Sequence, residues 1–83
     1  MSDAVAPTVT VYWRPGCPFC SRLTAQMQAA GVDYAAVNIW EQPDAAAFVR
    51  SVANGNETVP TVTVGATAMV NPPVERIIEL LNG

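Results

Sequence analysis

The spacing of apolar residues along the first half of the chain predicts a strand, a helix and a second strand. Residues 8–13 are β-branched or aromatic throughout, which is typical of a strand covered on both faces. Residues 18–30 carry apolar side chains at helical spacing, and Gly31 provides the left-handed residue at which such a helix ends. The predicted buried side of this helix consists of Cys20, Leu23, Met27 and Ala30. Residues 33–39 are predicted to form the second strand.

The second half of the chain predicts a helix, a pair of strands and a last helix. Pro43 suits the first position of the second helix, because its ring fixes φ and its missing N–H is not needed there. Residues 61–64 and 67–70 predict two short strands around a glycine turn. Residues 71–73 break the sheet, and Asn71 is a candidate N-cap of the last helix, with a ligand contact as the alternative. The predicted order is βαβαββα.

Length and charge limit the classes of function. The 83 residues, 51% of them hydrophobic, fit one small domain, which we expect over residues 8–83 after a loose arm of residues 1–7. The net charge of −3 includes no basic cluster, so neither nucleic acid nor an anionic membrane is expected as a partner. Residues 1–7 lack the features of a signal peptide, and we expect a cytoplasmic protein.

Both cysteines lie between the first strand and the first helix, in Cys17-Pro18-Phe19-Cys20. If Cys17 is the N-cap and Pro18 the first helical residue, the amides of Phe19 and Cys20 can donate to the Cys17 sulfur. The positive end of the helix dipole favours a thiolate at that position. Cys20, three residues on, is within reach for a disulfide. The pattern predicts a redox pair in which the first cysteine is activated.

Two other roles for the pair agree less well with the composition. A structural disulfide that closes so short a loop would stabilise the fold little. A zinc site needs four ligands, and the chain has no histidine and no further cysteine. The absence of histidine also excludes a Cys–His nucleophile pair. We therefore expect redox chemistry and no metal ligands.

Large or charged side chains flank the pair. Arg14 is either a solvated charge or a group that favours the thiolate and orients an incoming thiol, and we expect the second role. Phe19 lies beside the nucleophile on an exposed face and is interpreted as part of a contact surface. The pattern assigns no role to Trp40.

The Cys-Pro-Phe-Cys motif after the first strand, together with Thr58-Val59-Pro60 before the third, resembles the glutaredoxins. The resemblance covers residues 8–81. It is strongest to the mycoredoxins, which use mycothiol in place of glutathione, at residues 45–62 and at Asn71-Pro72. It implies an α/β fold, the thioredoxin fold of glutaredoxin type, with a four-stranded mixed sheet and three helices. Where mycoredoxins carry Trp-Cys-Gly-Tyr-Cys, however, this chain has Gly-Cys-Pro-Phe-Cys.

The resemblance also implies a thiol–disulfide oxidoreductase and a role for each matched residue. Cys17 would be the nucleophile and Cys20 the resolving cysteine. A cis peptide bond before Pro60 would expose the backbone of Val59 beside the cysteines, as a strand-like docking edge for substrate. The implied substrate-binding residues are Arg14, Pro18, Phe19, Thr58, Val59, Pro60 and Asn71.

A low-molecular-weight thiol is the implied co-substrate, with no tightly bound cofactor. Glutathione brings two carboxylates, whereas mycothiol has an acetylated cysteine and sugars and no carboxylate. Pro72 and Pro73 lack the amide donors that glutaredoxins offer to glutathione before the last helix, and Glu57 adds an anion. These features favour mycothiol over glutathione. The expected protein partners of the monomer are thiolated or disulfide-containing proteins and a reductase, either mycothiol disulfide reductase or thioredoxin reductase.

Two alternatives are kept. One is a ribonucleotide-reductase-type redoxin that thioredoxin reductase reduces, although residues 71–74 replace the aromatic-Arg-Pro segment typical of those proteins. The other belongs to a different class, an iron–sulfur or metal-binding module. Pro18 disfavours that module, because it makes the cysteine loop stiffer than the glycine of most cluster-binding relatives.

Overall fold

The predicted order of elements is confirmed by a computed structural model, which describes residues 8–82. The elements are β1 (Val9–Trp13), α1 (Pro18–Ala29), β2 (Ala35–Asn38), α2 (Pro43–Val52), β3 (Thr61–Val64), β4 (Thr67–Val70) and α3 (Val74–Asn82). The loose arm predicted for residues 1–7 lies outside the described residues. No helix within residues 8–82 is long and apolar enough to cross a membrane.

The four strands form one mixed sheet in the order β2-β1-β3-β4. β1 is parallel to β2 and antiparallel to β3, which is antiparallel to β4. Tyr12 pairs with Thr61, and Thr61 pairs with Val70. The loops after β1, before β3 and after β4 therefore meet at one end of the sheet. The segment that contains both cysteines lies at this end of the sheet.

The two faces of the sheet pack against two apolar clusters, because successive strand side chains point to opposite faces. Val9 and Val11 of β1 pack in the first cluster with residues of α1 and α3, including Met27 and Ile77. Tyr12 of β1 packs against the second cluster, which is formed by Cys20, Ile39, Ala45, Ala46, Val49 and Val59. Cys20 is therefore a core residue as well as one of the two thiols.

The first helix differs slightly from its predicted extent. It ends at Ala29, and Ala30 is an exposed cap residue rather than a member of the buried stripe. Gly31 has the predicted positive φ, 73°, and the N–H of Val32 donates to Met27 O at 2.9 Å. The left-handed cap closes the last turn with its own hydrogen bonds, which leaves Ala30 at the surface.

Candidate active site

Cys17 occupies the N-cap of α1, as predicted, with Pro18 as the first helical residue. Its sulfur accepts a hydrogen bond from the N–H of Cys20 at 3.2 Å. The sequence predicts that the amides of Phe19 and Cys20 both donate to this sulfur. Among the described residues, the amide of Cys20 does so and that of Phe19 does not. Gly16, just before it, has φ of 78°, a conformation that a residue with a side chain adopts only with strain. The turn from β1 into α1 therefore directs the Cys17 sulfur to the end of the helix.

The loop before β3 brings backbone groups to the same sulfur. The Cys17 thiol donates to the carbonyl oxygen of Val59 at 3.8 Å, and the peptide bond between Val59 and Pro60 is cis. The Thr61 hydroxyl donates to Thr58 O at 2.8 Å, which ties the loop to the start of β3. The geometry therefore places the Val59 backbone beside Cys17.

Cys20 has the opposite environment. Its side chain is 4% exposed and packs in the second cluster, whereas Cys17 is half-buried, and both are free thiols. Burial, followed by the hydrogen bond with Cys17, raises the pKa of Cys20 from 9.0 to about 12, although a hydrogen bond from the Arg14 backbone acts in the other direction. Cys20 therefore keeps its proton near neutral pH.

A shallow open groove of about 490 Å³ surrounds Cys17. Its lining residues are Arg14, Cys17, Phe19, Asn56, Glu57, Thr58, Val59 and Asn71. Five of the seven predicted substrate-binding residues line it. Pro18 is exposed at the start of α1 and Pro60 is fully buried, and neither lines the groove. We call this surface the Cys17 groove.

The sequence of the folded core decides the family. The sequence model of the glutaredoxin family matches residues 9–68, which include both cysteines and all of β1, α1 and β3. The chain belongs to the glutaredoxin family. It is a thiol–disulfide oxidoreductase of that family, whose members act on thiols and protein disulfides. The predicted family and activity are confirmed.

Two bacterial proteins are similar to this glutaredoxin over most of its length. A Mycobacterium tuberculosis protein named as a glutaredoxin is 34% identical over 74 residues, 88% of each chain. Mycoredoxin 1 of Corynebacterium glutamicum is 32% identical over 71 residues, 84% of this chain and 87% of the relative.

Both relatives extend over most of this chain, so the likeness is not confined to the cysteine motif.

Solved structures of the same fold confirm the predicted architecture. The glutaredoxin of Archaeoglobus fulgidus superposes with a TM-score of 0.74 at 27% identity and covers 93% of this chain and 88% of its own. NrdH-redoxin of Escherichia coli, a glutaredoxin-like protein described as having a thioredoxin-like activity profile, gives a TM-score of 0.75 at 27% identity. It covers 88% of this chain and 93% of its own. The thioredoxin fold of glutaredoxin type is therefore confirmed.

Asn71 corrects one prediction about the glutaredoxin site. The last helix begins at Val74, so its N-cap is Pro73, and Asn71 is not the cap residue. Asn71 instead adopts a φ of 49°, and its N–H donates to Pro60 O at 2.7 Å. Two prolines follow Asn71, and the residue before a proline is disfavoured in helical conformation. The helix therefore begins only after Pro73. Asn71 lines the Cys17 groove.

Glu57 lines the Cys17 groove, where the sequence predicts that it adds an anion, but its charge is paired. Its carboxylate pairs with the Arg50 guanidinium of α2 at 2.7 Å. Both side chains are well exposed, so the pair contributes little to stability, on the order of 0–1 kcal/mol. It does balance the charge at this side of the groove. Glu57 therefore gives only weak support to a preference for a thiol without carboxylates.

The role of Asn56 in the groove and the position of Trp40 were not predicted from the sequence. Asn56 lines the Cys17 groove; it belongs to the stretch that resembles the mycoredoxins, but the sequence assigned it no role in binding. Trp40 is 62% exposed, and the N–H of its neighbour Ile39 donates to Trp13 O at 2.9 Å. Trp40 therefore follows a residue that is hydrogen-bonded to the end of β1, at the same end of the sheet as the cysteines.

Proposed function

We propose that this glutaredoxin reduces mixed disulfides between proteins and a low-molecular-weight thiol, with mycothiol preferred to glutathione. The observation that carries the proposal is the difference between the two thiols. The Cys17 sulfur lies in an open groove and accepts an N–H from the start of α1, whereas Cys20 is buried behind it. Such a site lets a bulky disulfide reach one sulfur and protects the other.

The first step is a thiol–disulfide exchange. The Cys17 thiolate attacks the sulfur of the small thiol, the disulfide bond to the protein breaks, and the protein sulfur leaves as a thiolate that takes up a proton. Cys17 and the small thiol are then joined by a new disulfide. The N–H of Cys20, 3.2 Å from the Cys17 sulfur, stabilises the negative charge before the attack.

The Cys17–small thiol disulfide can be resolved in two ways. A second small thiol can attack as a thiolate, which releases the disulfide of the small thiol and restores the Cys17 thiolate. Alternatively Cys20 attacks Cys17, which releases the small thiol and leaves a Cys17–Cys20 disulfide for an external reductant. Because burial raises the pKa of Cys20 to about 12, few Cys20 thiols are ionised at neutral pH. We therefore favour the first route.

The loop before β3 is proposed to align the substrate. Val59 O accepts the Cys17 thiol at 3.8 Å, and a Cys17 thiolate no longer has this proton to donate. The freed carbonyl can then accept an N–H from an extended substrate chain, in the manner of an added strand. Thr58 and Val59 would bind backbone, while Phe19, 57% exposed, would contact side chains.

The proposed choice of thiol rests on residues 71–73, of which Asn71 lines the Cys17 groove. The N–H of Asn71 is taken by Pro60 O, and Pro72 and Pro73 have none, so this backbone offers no donor to a carboxylate. Arg14 is the one cation among the residues that line the Cys17 groove, whereas glutathione has two carboxylates. The likeness to mycoredoxin 1 supports the same choice. A reducing compartment such as the cytoplasm suits this chemistry.

A coupled assay on one mixed-disulfide substrate tests the proposal. Mycothiol, glutathione, and thioredoxin reductase with NADPH are offered in turn as the source of electrons. We expect the fastest turnover with mycothiol. Turnover with glutathione at an equal or higher rate would contradict the preference for a thiol without carboxylates.

The likeness to NrdH-redoxin supports a second candidate, a redoxin that thioredoxin reductase reduces directly. In that case Cys20 must resolve every cycle, because no small thiol takes part. Turnover with thioredoxin reductase and none with mycothiol would replace the first candidate by the second.

A further inference from the structure

A second groove, of about 350 Å³, adjoins the Cys17 groove between α1 and the segment that leads into α3. Phe19 and Asn71 line both grooves, so the two surfaces are continuous at these residues. Arg22 and Gln26 of α1 form one side of the second groove, and Glu75 of α3 lies on the other. A ligand whose sulfur is at Cys17 can extend past Phe19 and Asn71 into it. We call this surface the α1–α3 groove.

The polar groups of the α1–α3 groove suit a neutral ligand rich in hydroxyls. Arg22 is a donor, Glu75 is an acceptor, and the carboxamides of Gln26 and Asn71 can do both. One cation and one anion balance, so neither a strongly acidic nor a strongly basic group is selected. A hydroxyl both donates and accepts, and can therefore use every one of these partners.

Apolar surface in the same groove suits the other side of a sugar. Phe19 is 57% exposed, and the exposed Pro73 and the buried Pro72 line the groove beside Asn71. The C–H face of a sugar ring packs on such surfaces, while its hydroxyls point to the polar side chains. Residues 71–73 have no free backbone N–H, as described above, so the hydrogen bonds must come from side chains.

We propose that the α1–α3 groove binds the sugar portion of the small thiol whose sulfur reacts at Cys17. This inference rests on the proposed function, because it requires a small thiol that carries a sugar. Phe19 and Asn71 would then mark the point where the acetylated cysteine ends and the sugar begins.

Single-turnover kinetics with two substrates test the inference. One peptide is prepared as its disulfide with mycothiol and as its disulfide with N-acetylcysteine amide, which is uncharged and lacks the sugars. The reduced protein is mixed with each, and release of the peptide thiol gives a second-order rate constant. We expect the wild type to react about tenfold faster with the mycothiol substrate, the factor expected from one or two hydrogen bonds.

Gln26→Trp is the variant that fills the α1–α3 groove, and Ala25→Trp is its matched control. Both positions are exposed on α1, and Ala25 lines neither groove. Gln26→Trp should abolish the tenfold preference, whereas Ala25→Trp should keep it. Thermal melts of both variants establish that they are folded.

The outcomes separate the inference from the proposed function. A wild type that prefers the mycothiol substrate, together with a Gln26→Trp variant that retains the preference, would overturn the sugar site and leave the proposed function intact. A wild type without any preference, and without turnover by mycothiol in the coupled assay, would overturn both.

Discussion

Cys17 and Cys20 are three residues apart at the start of α1 and contact the same apolar cluster, yet their side chains have different environments. Cys17 faces an open groove and exchanges hydrogen bonds with the backbone at Cys20 and Val59. Cys20 is 4% exposed and packs against residues of β2 and α2, where burial raises its pKa to about 12. One short motif therefore holds one thiol that is accessible from the groove and one that is buried.

Replacing the exposed thiol should have the largest effect. Cys17→Ser should lower mixed-disulfide reduction by several orders of magnitude, because a hydroxyl at this position is a poor nucleophile near neutral pH. The measurement is single-turnover release of the protein thiol, with a thermal melt to check the fold. Substantial activity in Cys17→Ser would show that Cys20 can react in its place.

Replacing the buried thiol should separate the two routes of resolution. Cys20→Ala should keep reduction of small-thiol mixed disulfides within about threefold of the wild type, since a second small thiol resolves the intermediate. The same variant should lose reduction of intramolecular protein disulfides, which requires both cysteines. Cys20→Ser is the matched control for the effect of a polar group at this buried position. Equal loss of both activities would favour a strictly dithiol enzyme.

The raised pKa of Cys20 predicts a pH-dependent stability. Above pH 9.0, the ordinary value, the thiol ionises in the unfolded chain while the folded state keeps its proton up to about pH 12. The unfolded state then binds fewer protons, so the stabilising contribution present below pH 9 is lost as the pH rises towards 12. Urea unfolding of the reduced protein should show a steeper fall over this range than Cys20→Ala does. Parallel curves for the two proteins would contradict the assignment.

A smaller effect is expected at the wall of the Cys17 groove. Asn71→Gly removes the carboxamide but suits the φ of 49°, so it should keep or raise stability, by up to about 1 kcal/mol. KM for the mixed disulfide should rise severalfold with little change in kcat, since uniform binding is lost. Asn71→Ala should show the same KM with lower stability, because alanine tolerates positive φ poorly. An unchanged KM in Asn71→Gly would exclude this side chain from substrate binding.

Local signals explain why most of the fold could be predicted. The N-cap at Cys17, the proline after it and the glycine at position 31 each act on the residues next to them, and the structure has all three as expected. The apolar spacing in α1 located Cys20 on the buried side for the same reason. Short-range rules were therefore sufficient for the element order and for the environment of each cysteine.

Long-range contacts explain where the prediction was incomplete. The Arg50–Glu57 pair joins α2 to the loop before β3, and no local pattern indicates that these two side chains meet. Asn71 was expected to cap a helix because its residue type suits that role, but its N–H is used by Pro60, eleven residues earlier in the chain. The α1–α3 groove likewise exists only because Gln26 and Glu75 are brought together by packing.

The most direct test of the difference between the two thiols is their rate of alkylation in the reduced, native protein. Iodoacetamide at pH 7 with mass spectrometry of the peptides gives a separate rate for Cys17 and for Cys20, and the same reaction in urea gives their intrinsic rates. We expect Cys17 to react at least about 100-fold faster than Cys20 in the native protein, and the two rates to become similar in urea. Similar rates in the native protein, or faster labelling of Cys20, would contradict the division into a reactive and a protected thiol.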